Sequence, residues 1–404
     1  MGLQLLALGQ SRKPAQIDAA IEESRKLLST NPDSGRVLSM KALKESRAIA
    51  YTSGEIQSLK GIGIFHFYRG NYDSTTYYWK ECLRLAEETR DEEQITAAIN
   101  NLAIVYQETD QYLKALRFSE KSLKRRLDQK DSAGIGSSLN NIGLIYHEAN
   151  MNDKAIEFHS KALAIRLAYG DHKGIYKSFL NLGIAYMELD QFDTAQVLIE
   201  RTLKNDKETN HTWGVANAMR NLGMIYQETD RLNEAMRYYD SSLVLAQQVK
   251  DAQLVLRNHV SLAQISNALS DRDNVNKYLR QVSSTIENGD LKTQIAYYEI
   301  LANQLAVSGN YKESSNSWIK HKVLKDSLIR LSNENNLKET EIQLYYELQE
   351  AELRLANEKE QFYLKKEIEY KRKTNIILGS LLAFTLLLLF LILRNYRLLR
   401  KKNV

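Results

Sequence analysis

NLAIVYQETD from Asn101, NIGLIYHEAN from Asn141, NLGIAYMELD from Asn181 and NLGMIYQETD from Asn221 are one phrase written four times at a spacing of 40 residues. A fixed period of this size means stacked copies of one small unit, each unable to bury its apolar face alone. Weaker copies extend the register. Gly61-Ile62-Gly63 with Gly70-Asn71-Tyr72 stands one period upstream, and Ser261-Leu262-Ala263 and Leu301-Ala302-Asn303 with Gly309-Asn310-Tyr311 stand one and two periods downstream. A further copy is expected around Ile21 to Ile49, because Leu43 falls in the column Leu83, Leu123, Leu163, Leu203, Leu243. Residues 15–325 are therefore expected to form one all-α solenoid of about seven to eight repeats.

Each copy reads as a helix, a tight turn and an antiparallel helix. In the copy from Asp131, Ile135, Leu139, Ile142, Ile145 and Tyr146 recur at helical spacing, residues 148–153 break the pattern, and Ala155, Ile156, Leu163 and Ile165 resume it. One column is always small: Ala103, Gly143, Gly183, Gly223 and Ala263. A second, Ala115, Ala155, Ala195 and Ala235, lies where the returning helix would cross the first. The large column Tyr106, Tyr146, Tyr186 and Tyr226 is read as packing between neighbouring units.

These columns resemble the tetratricopeptide repeat: Asn-Leu-Gly, a Tyr three residues after the Gly, a turn ending in an aromatic such as Tyr112 or Phe192, then Ala. The resemblance implies a right-handed course for the solenoid. Two features depart from the common pattern. The period is 40 instead of 34, as in the long-helix variant of the family, and the Pro after the second helix is missing, since the chain holds only Pro14 and Pro32. The helices are expected to run on by about one and a half turns per unit.

From Thr374 to Leu393 the chain carries no charge, and Leu381 to Leu393 is nearly all Leu, Phe and Ile, with Arg394 as a stop. At about 1.5 Å per residue this stretch covers the ~30 Å hydrocarbon layer, which predicts one transmembrane helix over 374–393. Between Lys365 and Lys402 ten Lys and Arg face only Glu367 and Glu369, a local +8 in a chain whose net charge is +5. The basic balance thus reports membrane flanks and a basic tail over 394–404, and gives no support to nucleic-acid binding.

Positive residues on the two sides of the span balance, so orientation rests on the first residues. Residues 1–10 read as the remnant of a signal peptide, with a cleavage-like Ala7-Leu8-Gly9 but no basic n-region. That reading puts the repeats outside a bacterial cytoplasmic membrane and the tail inside. Residues 326–373 lack Gly and Pro and are dense in Glu, Lys, Leu and Gln, which predicts a helix of about 70 Å. A partial heptad through Leu344, Leu348, Ala351, Leu355 and Phe362 points to a homodimer, with Glu358 and Lys365 at seam positions. The alternative is a lone charged helix docked on the last repeat.

No catalytic, cofactor or metal site is expected. The seven His show no metal spacing, Cys82 is the single cysteine, and there is no phosphate-binding loop. The expected activity is capture of a protein or peptide along the first helices. The resemblance nominates Asn100, Asn101, Asn140, Asn141, Asn181, Arg220 and Asn221 as groove-facing, because an Asn amide both donates to and accepts from a peptide backbone. Hydrogen bonding within the solenoid is the competing reading of the Asn residues. Glu108, Glu148, Glu188 and Glu228 form a column at the end of the first helices, either as solvated helix ends or as a wall for a basic ligand. The lysines with which chaperone-binding members clamp a carboxylate are not matched.

The order of repeats, charged helix, span and basic tail resembles the sensory half of bacterial membrane-anchored tetratricopeptide-repeat sensor kinases and regulators. That resemblance implies a signalling receptor with a cytoplasmic output partner such as a kinase or regulator. A static scaffold for a membrane assembly is the alternative.

Overall fold

The computed structural model describes the backbone of residues 2–402, with side chains at all of these positions except 2–13, 333, 335, 337, 351, 352, 355, 356, 377 and 395–402. The expected signal remnant and basic tail lie outside the described side chains, as do Ala351 and Leu355 of the heptad. The chain divides into two units, Met1–Glu339 and Thr340–Val404.

The first unit is a run of antiparallel helix pairs. They are α1 (Gly2–Thr30) with α2 (Pro32–Ala48), α3 (Thr52–Tyr68) with α4 (Tyr72–Thr89), α5 (Glu92–Glu108) with α6 (Tyr112–Asp128), and α7 (Ser132–Glu148) with α8 (Asn152–Tyr169). Next come α9 (His172–Met187) with α10 (Phe192–Glu208), α11 (Thr212–Glu228) with α12 (Leu232–Gln248), and α13 (Ala252–Ala268) with α14 (Arg272–Val282). After a 3-10 turn at Ile286–Asn288, α15 (Leu291–Val307) precedes α16 (Tyr311–Lys402). Of the two prolines, Pro14 lies inside α1 and Pro32 opens α2, so neither closes a repeat.

The period of 40 has a simple origin in α5 and α6: both have 17 residues, and three-residue turns separate them from each other and from α7. Each turn contains a left-handed residue, among them Asp110, Asn150, Asp190 and Asp230 at φ between 56° and 62°. The chain then reverses through a bond from the next N–H to the Tyr carbonyl five residues back. These bonds join Gln111 to Tyr106, Met151 to Tyr146, Gln191 to Tyr186 and Arg231 to Tyr226 at 2.7–2.9 Å. This is the 6→1 closure that satisfies orphan helix-end carbonyls. Asp91, Asp131, Asp171 and Asp251 cap the following first helices by accepting from the N–H three residues on.

The small column does what its size allows. A Cβ on Gly183 would lie 2.7 Å from Ile199 Cγ1 and 3.4 Å from the Ala195 carbonyl. Ala115, Ala155, Ala195 and Ala235 are fully buried, as expected. The closest partner of each small residue is nevertheless a different one, sixteen positions on: Trp79 for Gly63, His159 for Gly143, Ile199 for Gly183, Tyr239 for Gly223. The first helix of each pair thus accepts whatever bulk the second delivers, and all four large residues are buried. Where Ala103 replaces Gly, the residue sixteen on is the small Ser119.

Regularity ends at α14. It has 11 residues, and the next first helix, α15, is capped by Asp290. From the α13 cap Asp251 to Asp290 is one residue short of the period.

The second unit is the remainder of α16, which is helical without a break at residue 373 and continues to Lys402. Among the described residues, one helical segment, Asn357–Arg394, is long and apolar enough to cross a membrane. Leu344, Leu348 and Phe362 of the heptad are exposed.

Candidate functional site

Successive first helices touch, α5 with α7, α7 with α9, α9 with α11 and α11 with α13. They form one continuous layer, the side on which a solenoid presents its binding surface. Half-buried and exposed side chains on this layer fall into three parallel columns.

The first column is the Asn ladder. Asn141 Nδ2 donates to Asn100 Oδ1 at 3.2 Å, and Asn181 Nδ2 donates to Asn140 Oδ1 at 2.9 Å, each bond joining successive pairs. Asn140 is 1% exposed and also accepts from Arg166 at 3.4 Å, so it is removed from the groove surface, a correction to its expected role. The bonds hold adjacent first helices in register, as the competing reading anticipated for Asn141 and Asn181. Asn100, Asn101 and Asn221 are half-buried on the same layer. Arg220 is also half-buried. Its Nη1 lies against Met224 Sδ, and burial pushes its pKa down.

The second column is the acidic one. Glu108, Glu148 and Glu228 end α5, α7 and α11, Glu188 directly follows α9, and all four are exposed. A carboxylate at a helix C-terminus opposes the macrodipole. Its fourfold occurrence therefore runs against helix stability and needs another cause. Glu148 accepts from Gln107 Nε2 of the preceding pair at 3.0 Å. Although the residue as a whole is exposed, its carboxyl end is partly desolvated beside the preceding pair, which pushes it up, and repulsion from Glu108 and Asp110 adds to the effect against the lowering hydrogen bond from Gln107. The Tyr72 phenol is raised by burial and by its hydrogen bond to Glu108. In its first two members the column is thus tied to neighbouring pairs.

Between these columns runs a third that the sequence reading missed. Ile104, Leu144, Ile184 and Met224 are half-buried, one helical turn beyond Asn101, Asn141, Asn181 and Asn221 on the same face. Its signal was present: the fourth letter of the repeated phrase is always apolar. Toward the other end of the layer, beyond the ladder column that holds Arg220, lie Lys173, Lys177 and Arg257. Lys177 is pushed down by burial and by Arg166 and Lys173, and Arg257 donates to Asp290 at 2.9 Å. The layer therefore offers an apolar stripe between an acidic edge and a basic edge.

Elsewhere the chemistry is structural. Burial pushes the Cys82 thiol up to about 12, so it is no ready nucleophile. No group of three or more His, Cys, Asp or Glu among the described residues is placed to hold a metal.

A tetratricopeptide-repeat family model matches residues 54–128, 94–168, 134–208 and 174–248. Residues 54–248 are tetratricopeptide repeats. No curated protein sequence matches the chain. Among solved structures, a signal-transduction ATPase with numerous domains and a tetratricopeptide-repeat sensor, from Pyrococcus horikoshii, is similar at 17% identity and a TM-score of 0.57, covering 69% of this chain and 44% of its own. Aspartyl phosphate phosphatase F from Bacillus subtilis is similar at 12% identity and a TM-score of 0.56, covering 71% and 75%. A plasmid Rap conjugation gene regulator, solved with a Phr peptide, is similar at 14% identity and a TM-score of 0.51, covering 71% and 77%. At these identities the likeness is one of fold.

Proposed function

We propose that this tetratricopeptide-repeat protein is a non-enzymatic, membrane-anchored interaction module that takes an extended segment of a partner protein or peptide along the first helices of its central pairs. The carrying observation is the half-buried apolar column Ile104, Leu144, Ile184 and Met224, framed by the Asn ladder and by Glu108, Glu148, Glu188 and Glu228. Asn100, Asn101, Asn221 and Arg220 supply polar contacts; Asn141 and Asn181 act mainly in the ladder. The regulator solved with a peptide supports the reading at the level of fold.

Anchoring is assigned to residues 374–393 in a bacterial cytoplasmic membrane, with the repeats outside and the tail inside. The apolar segment supports the anchor. Phosphatase fusions at Val404 and near Leu324 test the orientation, and activity at Val404 alone reverses it. A role as the sensor part of a signalling system, with a cytoplasmic kinase or regulator as output, is favoured over a static scaffold because one unbroken helix runs from Tyr311 into the apolar segment. Dimerisation through 326–373 belongs to the same proposal. Cysteines at Leu344 or Leu348 should then crosslink between copies.

Photocrosslinking tests the binding surface. A benzophenone side chain at Leu144 or Ile184 should yield partner adducts, whereas one at the exposed Leu167 of α8 should not. Equal yields from both faces would remove the groove reading.

A further inference from the structure

Lys338 reaches back to a turn far away in sequence. Its Nζ lies 3.5 Å from Asp110 Oδ2 and 5.0 Å from the centroid of the Tyr112 ring. The Tyr112 hydroxyl donates to Asp110 Oδ1 at 2.9 Å, so one carboxylate oxygen is held by the phenol and the other faces the ammonium. Asp110 stands in the left-handed position of the turn between α5 and α6, fixed by its N–H to the Gln107 carbonyl and by Gln111 N–H to the Tyr106 carbonyl. Glu108 lies two residues before Asp110, and Glu148 is bonded to Gln107 of the same turn.

This arrangement is not a property of the repeat. The residues two apart at the equivalent turns are Gly70 and Tyr72, Asn150 and Asn152, Asp190 and Phe192, and Asp230 and Leu232. An acid paired with a phenol occurs only at 110 and 112. An ammonium on an aromatic face beside a carboxylate has the geometry of lysine recognition. The Lys338 side chain is 22% exposed while Asp110 is 58% exposed, so the carboxylate remains open to a second cation. A single pair of this exposure is weak and displaceable.

We propose that Asp110 and Tyr112, flanked by Glu108 and Glu148, form a lysine-recognition site that the chain's own Lys338 fills at rest and that a basic segment of the partner competes for. The inference deepens the groove reading by naming the partner's charge and the device that keeps one end of the surface occupied. Freeing the site raises apparent affinity by the reciprocal of the fraction of molecules in which Lys338 had left it open, so closure in about two thirds of them corresponds to about threefold.

The test uses the full chain in detergent micelles and a fluorescein-labelled decapeptide of alternating Lys and Ala, read by anisotropy. Lys338→Gln should tighten binding by about threefold or more, and adding Asp110→Asn should remove the gain. Lys325→Gln, an equal charge change on the same helix, should leave affinity where it was, and an alternating Glu and Ala decapeptide should not respond to any variant. Equal effects of K338Q and K325Q, or a gain that survives D110N, would overturn the site in favour of general charge. Melting curves of each variant report folding. The groove reading is judged separately: adducts from Leu144 with no response to K338Q remove only the lysine site, and a K338Q-specific gain without those adducts removes only the groove.

Discussion

Leu102, Leu116, Leu222 and Leu262 are completely buried, whereas Leu382 and Leu386, in a helix of the same chain, are 63% and 59% exposed. The residue type is the same; the surroundings in sequence are not. In the repeats each Leu belongs to a stripe bordered by polar residues, and the next helix pair covers that stripe. Between Thr374 and Leu393 the apolar residues surround the helix on all sides, so no single neighbour can cover them and lipid is the solvent that suits them. Periodicity, more than hydrophobicity, separates a helix that a neighbouring helix pair can cover from one apolar enough all round to cross a membrane.

The largest test of this contrast is to put charge on the all-round apolar helix. Asp at both Leu386 and Leu389 should cost about 3 kcal/mol each near the bilayer centre and move the chain from the membrane to the soluble fraction. Fractionation after carbonate washing decides, and a double variant that still needs detergent for extraction would break the comparison.

The next effect lies in the repeat core. His159 fills the space opposite Gly143, is 1% exposed, and is pushed down to about 3 by burial, with His147, Arg166 and Lys177 adding to the shift. The folded imidazole is held neutral. Its contribution is therefore intact above the unfolded value near 6.5 and drains away as pH falls from there toward 3, at about 1.4 kcal/mol per unit. Thermal melts from pH 7 to pH 4 should fall more steeply for the wild type than for His159→Leu; parallel curves would refute the assignment.

Overpacking comes third. Gly183→Leu drives a side chain into Ile199 and should cost about 1 to 3 kcal/mol, read as a lower melting temperature. Gly183→Ala should be milder and should be rescued by Ile199→Ser, which recreates the natural Ala103 and Ser119 combination. Additive effects in this double-mutant cycle would mean the two columns do not share space. The smallest change is Asn181→Ala, which removes the bond to Asn140 and should cost about 1 kcal/mol, visible as faster amide exchange in α9.

Much of this was legible in the chain. The helix pairs and the apolar span follow from residues within a few turns of one another, and the period and the small and Tyr columns follow from the same phrase returning every 40 residues. The acidic column was legible as a column at the ends of the first helices, but the bond from Gln107 that ties Glu148 to the preceding pair was not. The apolar groove column was overlooked because Ile104 and its equivalents sit inside a phrase that reads as core throughout. How deep each letter lies depends on the angle of the neighbouring first helix. Asn140 misled for the same reason: it shares its column with the half-buried Asn100 and Arg220, and only the arrival of Arg166 and Asn181 buries it.

By itself the sequence determined the unit, its length and its stacking, and it marked the one segment suited to lipid, because helical propensity and hydrophobic period are local quantities. The tertiary structure alone decided which bulky residue closes on each small one, which Asn is buried in the ladder, and where Lys338 comes to rest against Asp110 and Tyr112. Those are pairings between helices, set by packing at contact distance; the sixteen-residue step from small to bulky residue recurs along the chain, but only the packed helix pair shows that it is the contacting one.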